Sequence, residues 1–322
     1  MNSHTLRSLW MLMRREVWES PFAFKWAPLL IGGLIILLTI VGLILGARFD
    51  GNMAFTVDAM KLFADLPAEQ KRLIVSGSLF ATSSLFLQVM VLVILFYLAG
   101  SLYDDRKDRS ILFWKSLPVS DVMTVASKLA TACVMVPALF LAAIILTQLV
   151  LLLIASGYAL FAGINPLTNL WWPASLPRLW SVMAAGLLVQ ALWLLPVYAW
   201  LLFCSSWAPR LPILIAVAIP AGVSIAQHSY SLISGFRLPE LNLGLIMLKR
   251  LGGGVLPGNV NIEMVSGSGE SSLENLEFSE ELYMSFSNLG AHLVKPEMWI
   301  GFAIAAALIA GAIYFRRRAT DN

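Results

Sequence analysis

The sequence LFATSSLFLQVMVLVILFYLAGSLYDDRKDRSILFWKSLPVSD, at residues 79 to 121, joins two segments of opposite character. Residues 79 to 101 contain no Asp, Glu, Lys or Arg, and a bilayer core needs about 20 mostly apolar residues in a helix. Residues 102 to 121 hold four carboxylates and four cations around the bulky sequence ILFW at 111 to 114. The stretch therefore predicts a membrane span that is followed directly by a densely charged segment.

The composition of the whole chain agrees with a membrane protein. Of its 322 residues, 59% are hydrophobic and 13% are charged, whereas a soluble domain carries about 25% charged residues. The mean hydropathy is +0.79. Cys133 and Cys204 both lie in apolar runs, which favours small buried thiols over a disulfide framework.

We predict an all-α polytopic membrane protein with six transmembrane helices, here called span 1 to span 6. Spans 3 and 4 are long enough to tilt or to bend at Pro137 and Pro196. The end of span 5 is left open between residues 228 and 236. The predicted spans are 27–47, 79–101, 129–156, 179–206, 211–232 and 298–315.

The distribution of Lys and Arg predicts the orientation of these spans. The loop between spans 2 and 3 holds five cations, whereas the loop between spans 3 and 4 holds only Arg178. Because short cytoplasmic loops are enriched in Lys and Arg, we predict that both termini are cytoplasmic.

The sequence predicts four regions in the chain. Residues 1–26 form an interfacial amphipathic helix, because Leu6, Leu9, Trp10, Met13 and Val17 recur at helical spacing,. We expect that helix to end at Ser20 and Pro21. Residues 27–232 hold spans 1 to 5 with a charged loop at 102–128, residues 233–297 form an acidic extracytoplasmic insertion, and residues 298–322 hold span 6 and a basic cytoplasmic tail.

The spans exclude several classes of function. None of the six contains Asp, Glu, Lys or Arg, which disfavours carriers driven by proton or sodium gradients, because these need ionisable groups at membrane depth. The chain also lacks the H-E-x-x-H, G-x-S-x-G and G-x-x-x-x-G-K-[ST] patterns,. We therefore predict no catalytic residue, metal or cofactor in this chain, and any uphill transport must draw its energy from another polypeptide.

The charged stretch at 102–121 has two interpretations. Its alternating charges and the adjacent ILFW residues suit a docking surface, on which a cytoplasmic partner pairs with the charges and buries aromatic side chains. A juxtamembrane loop with an interfacial Trp114 explains the cations equally well, but it does not explain the four carboxylates. Beyond this stretch, Pro118 ends any preceding helix and Ser120 is placed to cap span 3.

Three stretches carry a family resemblance: RREVWESPFAFKWAPL at 14–29, LYDDRKDRSILFWKSLPVSD at 102–121, and PEMWIGFAIAAALIAGAIYFRRR at 296–318. Together they resemble the membrane-spanning permease subunit of bacterial ABC-2 type ABC transporters. The likeness covers the chain apart from the acidic insertion at 233–297.

The resemblance implies a half-transporter in the bacterial cytoplasmic membrane, and it favours export as the direction of transport. Its partners would be a second permease copy or a paralogous permease, together with cytoplasmic ABC ATPase subunits that bind ATP and Mg²⁺. In that family the N-terminal helix and a coupling helix in the first cytoplasmic loop contact the ATPase. The corresponding residues are Arg14, Arg15, Glu16, Trp18, Asp104, Asp105, Arg106, Lys107, Asp108, Arg109, Ile111, Phe113, Trp114 and Lys115.

Polar and small residues within the spans are candidates for a translocation path and for helix packing. A translocation path would be lined by Thr82, Ser83, Ser84, Gln88, Thr147, Gln148 and Gln190, which are equally suited to hydrogen bonds between helices. Small residues that allow close helix contact are Gly42, Gly46, Ala303, Ala307 and Gly311. The alternative function is a membrane scaffold, or a sensor whose extracytoplasmic segment binds a ligand.

Overall fold

A computed structural model describes residues 3–49, 54–108, 120–234, 243–255 and 286–318, and all regular structure in these ranges is helical. The predicted all-α class is therefore confirmed. The α-helices are Ser3–Glu19, Ala27–Phe49, Ala54–Ala64, Ala68–Lys107, Asp121–Ala130, Val136–Phe161, Trp172–Ala174, Leu176–Trp207, Pro212–Ser234, Leu243–Val255, Phe286–Val294 and Pro296–Arg318. Short π-helical turns cover Phe22–Trp26, Thr131–Met135 and Leu167–Trp171.

Six helical segments of the described chain are long and apolar enough to cross a membrane, and each coincides with one predicted span. Their most apolar windows have mean hydropathies from 1.4 in span 5 to 2.8 in spans 1 and 3. The segments are Phe22–Leu45, Ala68–Lys107, Asp121–Phe161, Leu167–Trp207, Pro212–Ser229 and Pro296–Arg318. This arrangement is that of a multi-pass membrane protein.

Span 2 is much longer than predicted. Its helix has 40 residues, Ala68–Lys107, and at 1.5 Å per residue it exceeds the roughly 30 Å of a hydrocarbon core. The first residues of the charged loop predicted at 102–128 therefore continue the helix of span 2, and the last ones, from Asp121, begin the helix of span 3. Residues 109–119, where the rest of the predicted coupling helix falls, lie outside the described residues.

Span 4 lies at the centre of the helix bundle and contacts spans 2, 3, 5 and 6. Within its most apolar window 61% of the residues are buried, against 11% in span 1. Tyr198, Leu194 and Leu202 of span 4 are almost completely buried. Spans 4 and 6 make the most extensive helix contact among the described helices, so span 6 is held in the bundle mainly by span 4.

The helix boundaries follow the local sequence signals. The N-terminal helix ends at Glu19, directly before the Ser20–Pro21 break that the sequence predicts. Ser120 caps the helix Asp121–Ala130, and its Oγ accepts a hydrogen bond of 3.2 Å from the backbone N–H of Met123. A π-helical turn, Thr131–Met135, precedes Pro137, whereas Pro196 lies inside a continuous helix. Both cysteines are free thiols.

Only part of the segment predicted as an extracytoplasmic insertion, 233–297, is described. Span 5 continues as a helix to Ser234, and the helix Leu243–Val255 packs against spans 2, 4 and 5. The backbone N–H of Gly244 donates to Ser224 Oγ at 3.0 Å, and Arg250 stacks on Trp193 at 4.8 Å from the ring centroid. This helix therefore lies against the spans themselves.

Candidate functional site

Five charged residues from four separate helical segments meet at one end of the bundle, and we call them the ion-pair network. Lys128 Nζ lies 3.2 Å from Glu16 Oε1 and 3.5 Å from Asp105 Oδ2. Arg316 bridges two carboxylates, because Nη1 is 3.1 Å from Asp105 Oδ2 and Nε is 3.2 Å from Asp121 Oδ1. The network thus connects the N-terminal helix, the end of span 2, the start of span 3 and the end of span 6.

Most of the ion-pair network is inaccessible to solvent. Lys128 is 2% exposed, Glu16 and Arg316 are each 4% exposed, and Asp105 is 8% exposed. A buried charge is tolerated when opposite charges and hydrogen bonds surround it, and removal of one partner from a buried pair costs about 3–5 kcal/mol. The four segments are therefore held together by contacts that depend on one another.

Tyr97 of span 2 extends the network toward the membrane. Its hydroxyl donates to Glu16 Oε2 at 2.8 Å, and its ring packs edge-on against Phe24 with centroids 5.0 Å apart. Phe24 is fully buried in the π-helical turn that leads into span 1. These contacts join span 1 to span 2 on the membrane side of the ion-pair network.

A second set of contacts joins the same end of span 2 to span 4. Ser205 Oγ accepts hydrogen bonds of 3.0 Å from the backbone N–H groups of Leu102 and Tyr103. The guanidinium of Arg106 donates to the carbonyls of Ser205 and Ala208 at 2.7 and 2.9 Å. The last turns of span 2 are therefore anchored to the end of span 4 as well as to the ion-pair network.

A cavity of about 800 Å³, here called the inner cleft, opens beside the ion-pair network. One wall comes from residues 15–24 at the end of the N-terminal helix and the start of span 1, and the other comes from residues 92–108 of span 2. Lys128 also lines it. The inner cleft thus extends from the charged end of the bundle into the membrane-spanning region.

The residues that the resemblance assigns to ATPase coupling fall into three groups. Exposed side chains are Arg14, Trp18, Asp104, Lys107 and Asp108, whereas Arg15 is half-buried and pairs with Glu19 at 2.6 Å. Glu16, Asp105 and Arg106 instead bond to other segments of this chain, as described above. Arg109, Ile111, Phe113, Trp114 and Lys115 lie outside the described residues.

The apolar positions predicted for the N-terminal helix also divide. Met13 and Val17 are buried on the same side as Glu16, whereas Leu6 and Trp10 are about half exposed. The sequence places Glu16 with the polar positions of this helix, but its carboxylate lies on the buried side because Lys128 faces it.

Three of the predicted path residues belong to the polar core of the bundle. Gln148 Nε2 donates to the Leu79 carbonyl and to Ser83 Oγ, both at 3.0 Å. Its Oε1 accepts a 2.8 Å hydrogen bond from the indole N–H of Trp180. Thr147 lies directly against Gly32, where a Cβ would overlap Thr147 Oγ1. These residues join spans 1 to 4 through neutral hydrogen bonds and close packing.

The structure shows no hydrogen bond from the remaining predicted path residues to another described helix. Gln190 is 4% exposed, and neither polar atom of its amide has a hydrogen-bond partner among the described residues. Gln88 is exposed, and Thr82 and Ser84 are half-buried with hydroxyls that donate to carbonyls of their own helix. The structure therefore does not gather the seven predicted residues around one cavity.

The small residues predicted for helix packing have different surroundings. Gly42, Ala303 and Ala307 are exposed on the surface of this chain, and Gly46 lies in the helix of span 1. Gly311 packs against the ring of Phe203, since a Cβ at this position would stand 2.8 Å from it. Gly311 therefore contributes to the close packing of span 6 against span 4.

A second cavity, of about 490 Å³, lies between spans 4 and 5 and the helix Leu243–Val255. Its lining is almost entirely apolar. The polar groups nearby are used internally, because Ser224 Oγ donates to the Pro220 carbonyl and Trp200 Nε1 donates to the Ala216 carbonyl. The cavity offers an apolar environment at membrane depth.

The sequence did not indicate a site at Tyr97, Lys128 or Arg316, and it placed Asp121 only within the charged stretch at 102–121. Each lies near a predicted span boundary, where the hydropathy changes from apolar to charged. That signal marks all four as residues of the membrane interface, but it does not indicate which ones face each other.

No protein-family model, curated protein or solved structure matches this chain.

Proposed function

We propose that this chain is the permease subunit of an ABC-2 type ABC transporter, which moves its cargo across the membrane when separate cytoplasmic ATPase subunits hydrolyse ATP. The observation that carries the proposal is the ion-pair network, which joins the N-terminal helix to spans 2, 3 and 6. Spans 2 and 3 are the segments on either side of the charged stretch that resembles a coupling helix.

The network gives that stretch a direct mechanical connection to the bundle. Asp105 and Asp121 lie near its two ends, and Arg316 binds both carboxylates. A partner that pushes on residues 109–119 would therefore act on span 6 through Arg316 and on the N-terminal helix through Lys128 and Glu16. Packed helices respond to such a push by switching between discrete arrangements.

The composition of the chain supports an external source of energy. The predicted spans hold no Asp, Glu, Lys or Arg, and the sequence has no phosphate-binding loop of the Walker type. Charged groups cluster at the end of the bundle instead, which is where a cytoplasmic ATPase would bind in the predicted orientation. A separate ATPase subunit is consistent with each of these features.

This chain has exposed apolar surface on which a second permease subunit can pack. The most apolar windows of spans 1 and 5 are only 11% and 17% buried within this chain. We propose that part of this surface faces the second subunit and that cargo passes between the two, with the apolar cavity beside span 5 as part of the route. The cargo would then be at least partly apolar.

The test replaces Phe113 and Trp114 with Ala and measures how much of the ATPase encoded next to this chain co-purifies from solubilised membranes. We expect co-purification to fall at least about tenfold, because buried aromatic anchors dominate most protein interfaces. The matched control is Phe161→Ala with Trp172→Ala, a pair that is 68% and 86% exposed near the opposite end of the bundle.

The control should leave co-purification and the stimulated ATP hydrolysis unchanged. Unchanged association and hydrolysis in the Phe113→Ala, Trp114→Ala variant would contradict the proposal and would favour a scaffold or sensor that needs no ATPase.

A further inference from the structure

We infer that the inner cleft binds a cationic amphiphile, a molecule with an amine or guanidinium headgroup and an apolar tail. The inference needs no ATPase and no second subunit, so it stands apart from the proposed function. It is based on the shape, polarity and charge of the two walls of the cleft.

The wall formed by span 2 changes from apolar to acidic along one helical stripe. Leu92, Phe96, Gly100, Asp104 and Asp108 line the cleft at intervals of four residues, so each side-chain position lies next to the following one and the series winds gradually around the helix. At 1.5 Å per residue this stripe is about 24 Å long. Its apolar half lies in the membrane-spanning region and its acidic half lies at the end of the bundle.

The opposite wall shows the same change in the same direction. Phe24 and Ala23 lie toward the membrane, Ser20 lies between, and Glu19 and Arg15 lie at the charged end. The cleft therefore has an apolar half and a polar half on both sides. An amphiphile has this distribution of polarity, with its tail and headgroup separated along one axis.

The charges of the cleft select a cationic headgroup. Five carboxylates and two cations line it, and both cations are already paired, because Arg15 binds Glu19 and Lys128 binds Glu16 and Asp105. Asp104 and Asp108 are exposed and form no ion pair within the part of the chain that the structure describes. An ammonium or guanidinium group would complement these two carboxylates, and an anionic headgroup would be repelled.

The cleft is also accessible from the lipid. Leu92 and Phe96 are 53% and 64% exposed although they lie within the predicted span, so their side chains border the bilayer. Between them and the acidic end, Gly100 leaves room for Asp104, because a Cβ at residue 100 would stand 2.8 Å from Asp104 Oδ2. A tail can therefore enter sideways from the membrane while its headgroup reaches Asp104 and Asp108.

A basic side chain of a protein partner is the main competing occupant. It would satisfy Asp104 and Asp108 but would leave the apolar half of the cleft, along Leu92 and Phe96, without a contact. An amphiphile covers both halves, and the polarity of the walls therefore favours it.

The experiment measures binding of radiolabelled dodecylamine to the purified full-length chain in nanodiscs of zwitterionic lipid, after subtraction of binding to empty nanodiscs. Unlabelled dodecyl sulfate and dodecanol, which have the same tail, serve as competitors. The test variant is Asp104→Asn with Asp108→Asn. The matched control is Asp58→Asn with Asp65→Asn, which removes the same charge from two exposed residues that do not line the cleft.

We expect saturable binding of one dodecylamine per chain, poor competition by dodecyl sulfate and dodecanol, and about tenfold weaker binding to the Asp104→Asn, Asp108→Asn variant. The Asp58→Asn, Asp65→Asn control should bind as the unmodified chain does. A Gly100→Leu variant, which fills the middle of the cleft, should also lose binding.

Three results would overturn the inference: no saturable binding above that of empty nanodiscs, equal competition by dodecyl sulfate, or equal affinity in the Asp104→Asn, Asp108→Asn variant. If dodecylamine does not bind but this variant loses the co-purifying ATPase, the cleft is a protein contact. The Phe113→Ala, Trp114→Ala variant tests the association with an ATPase, and its result has no bearing on dodecylamine binding. The proposed function and the amphiphile site can therefore fail separately.

Discussion

The two ends of the membrane-spanning bundle are held together by different chemistry. At the end that we predict to be cytoplasmic, Lys128 and Arg316 bind carboxylates from the N-terminal helix and from spans 2 and 3. Toward the opposite end, Gln148 joins span 3 to spans 2 and 4 through neutral hydrogen bonds to Ser83 and Trp180. The first arrangement uses formal charges, and the second uses only dipoles.

The difference follows from the cost of placing charge in lipid. A charged side chain at the bilayer centre costs about 2.5–3.5 kcal/mol even on insertion scales, whereas neutral polar groups are inserted more cheaply and still hydrogen-bond between helices. The ion pairs of the network therefore lie at the end of the bundle, where long side chains can reach the interface. There they can also connect the bundle to cytoplasmic partners.

The largest expected effect is at Lys128. Lys128→Met leaves Glu16 and Asp105 without their shared cation, and we expect the free energy of unfolding to fall by about 3–5 kcal/mol. Thermal unfolding of the purified chain in a neutral detergent measures the change. The control Lys61→Met alters an exposed lysine and should change stability by less than about 0.5 kcal/mol. Equal stability of the two variants would show that the network does not hold the segments together.

A smaller effect is expected at Gln148. Gln148→Leu removes three hydrogen bonds and leaves the Trp180 indole N–H without its acceptor, and we expect a loss of about 1–2 kcal/mol. Gln88→Leu, at an exposed position of span 2, is the matched control and should be nearly neutral. A loss as large as that of Lys128→Met in the same unfolding assay would remove the contrast between the two ends.

The smallest expected effect concerns the close packing of span 6 against span 4, which involves no polar contact. Gly311→Ala places a methyl group 2.8 Å from the Phe203 ring, and we expect a loss of up to about 1–2 kcal/mol as spans 4 and 6 move apart. Gly42→Ala has no other side chain within 4 Å, so it should be neutral or slightly stabilising because Ala favours helix. If both substitutions have the same effect, close contact at Gly311 does not contribute to the packing of spans 4 and 6.

Much of the architecture could be predicted from the sequence because it depends on local properties. A run of about 20 apolar residues crosses a membrane whatever surrounds it, and all six predicted spans coincide with helices. The break at Ser20 and the cap at Ser120 also follow from local rules, since a proline or a serine hydroxyl acts within one helical turn. The exact lengths were less predictable, because helices such as Ala68–Lys107 continue into charged sequence.

The site was predictable only in part. The sequence marks residues 102–121 as unusual by their charge, and Asp105 and Asp121 do lie in the ion-pair network. It does not show that Glu16 faces inward or that Arg106 binds the end of span 4. The predicted path residues also differ in their surroundings, because polar residues in a span suit a path and an interhelical hydrogen bond equally well.

The sequence by itself determined six apolar helices, their boundaries at Ser20 and Ser120, and the concentration of charge between spans 2 and 3. Only the tertiary structure decided which charges meet, because Glu16 and Lys128 are 112 residues apart and their contact depends on how three helices are arranged. Hydropathy and capping are properties of neighbouring residues, whereas an ion pair or a cleft requires distant segments to come together.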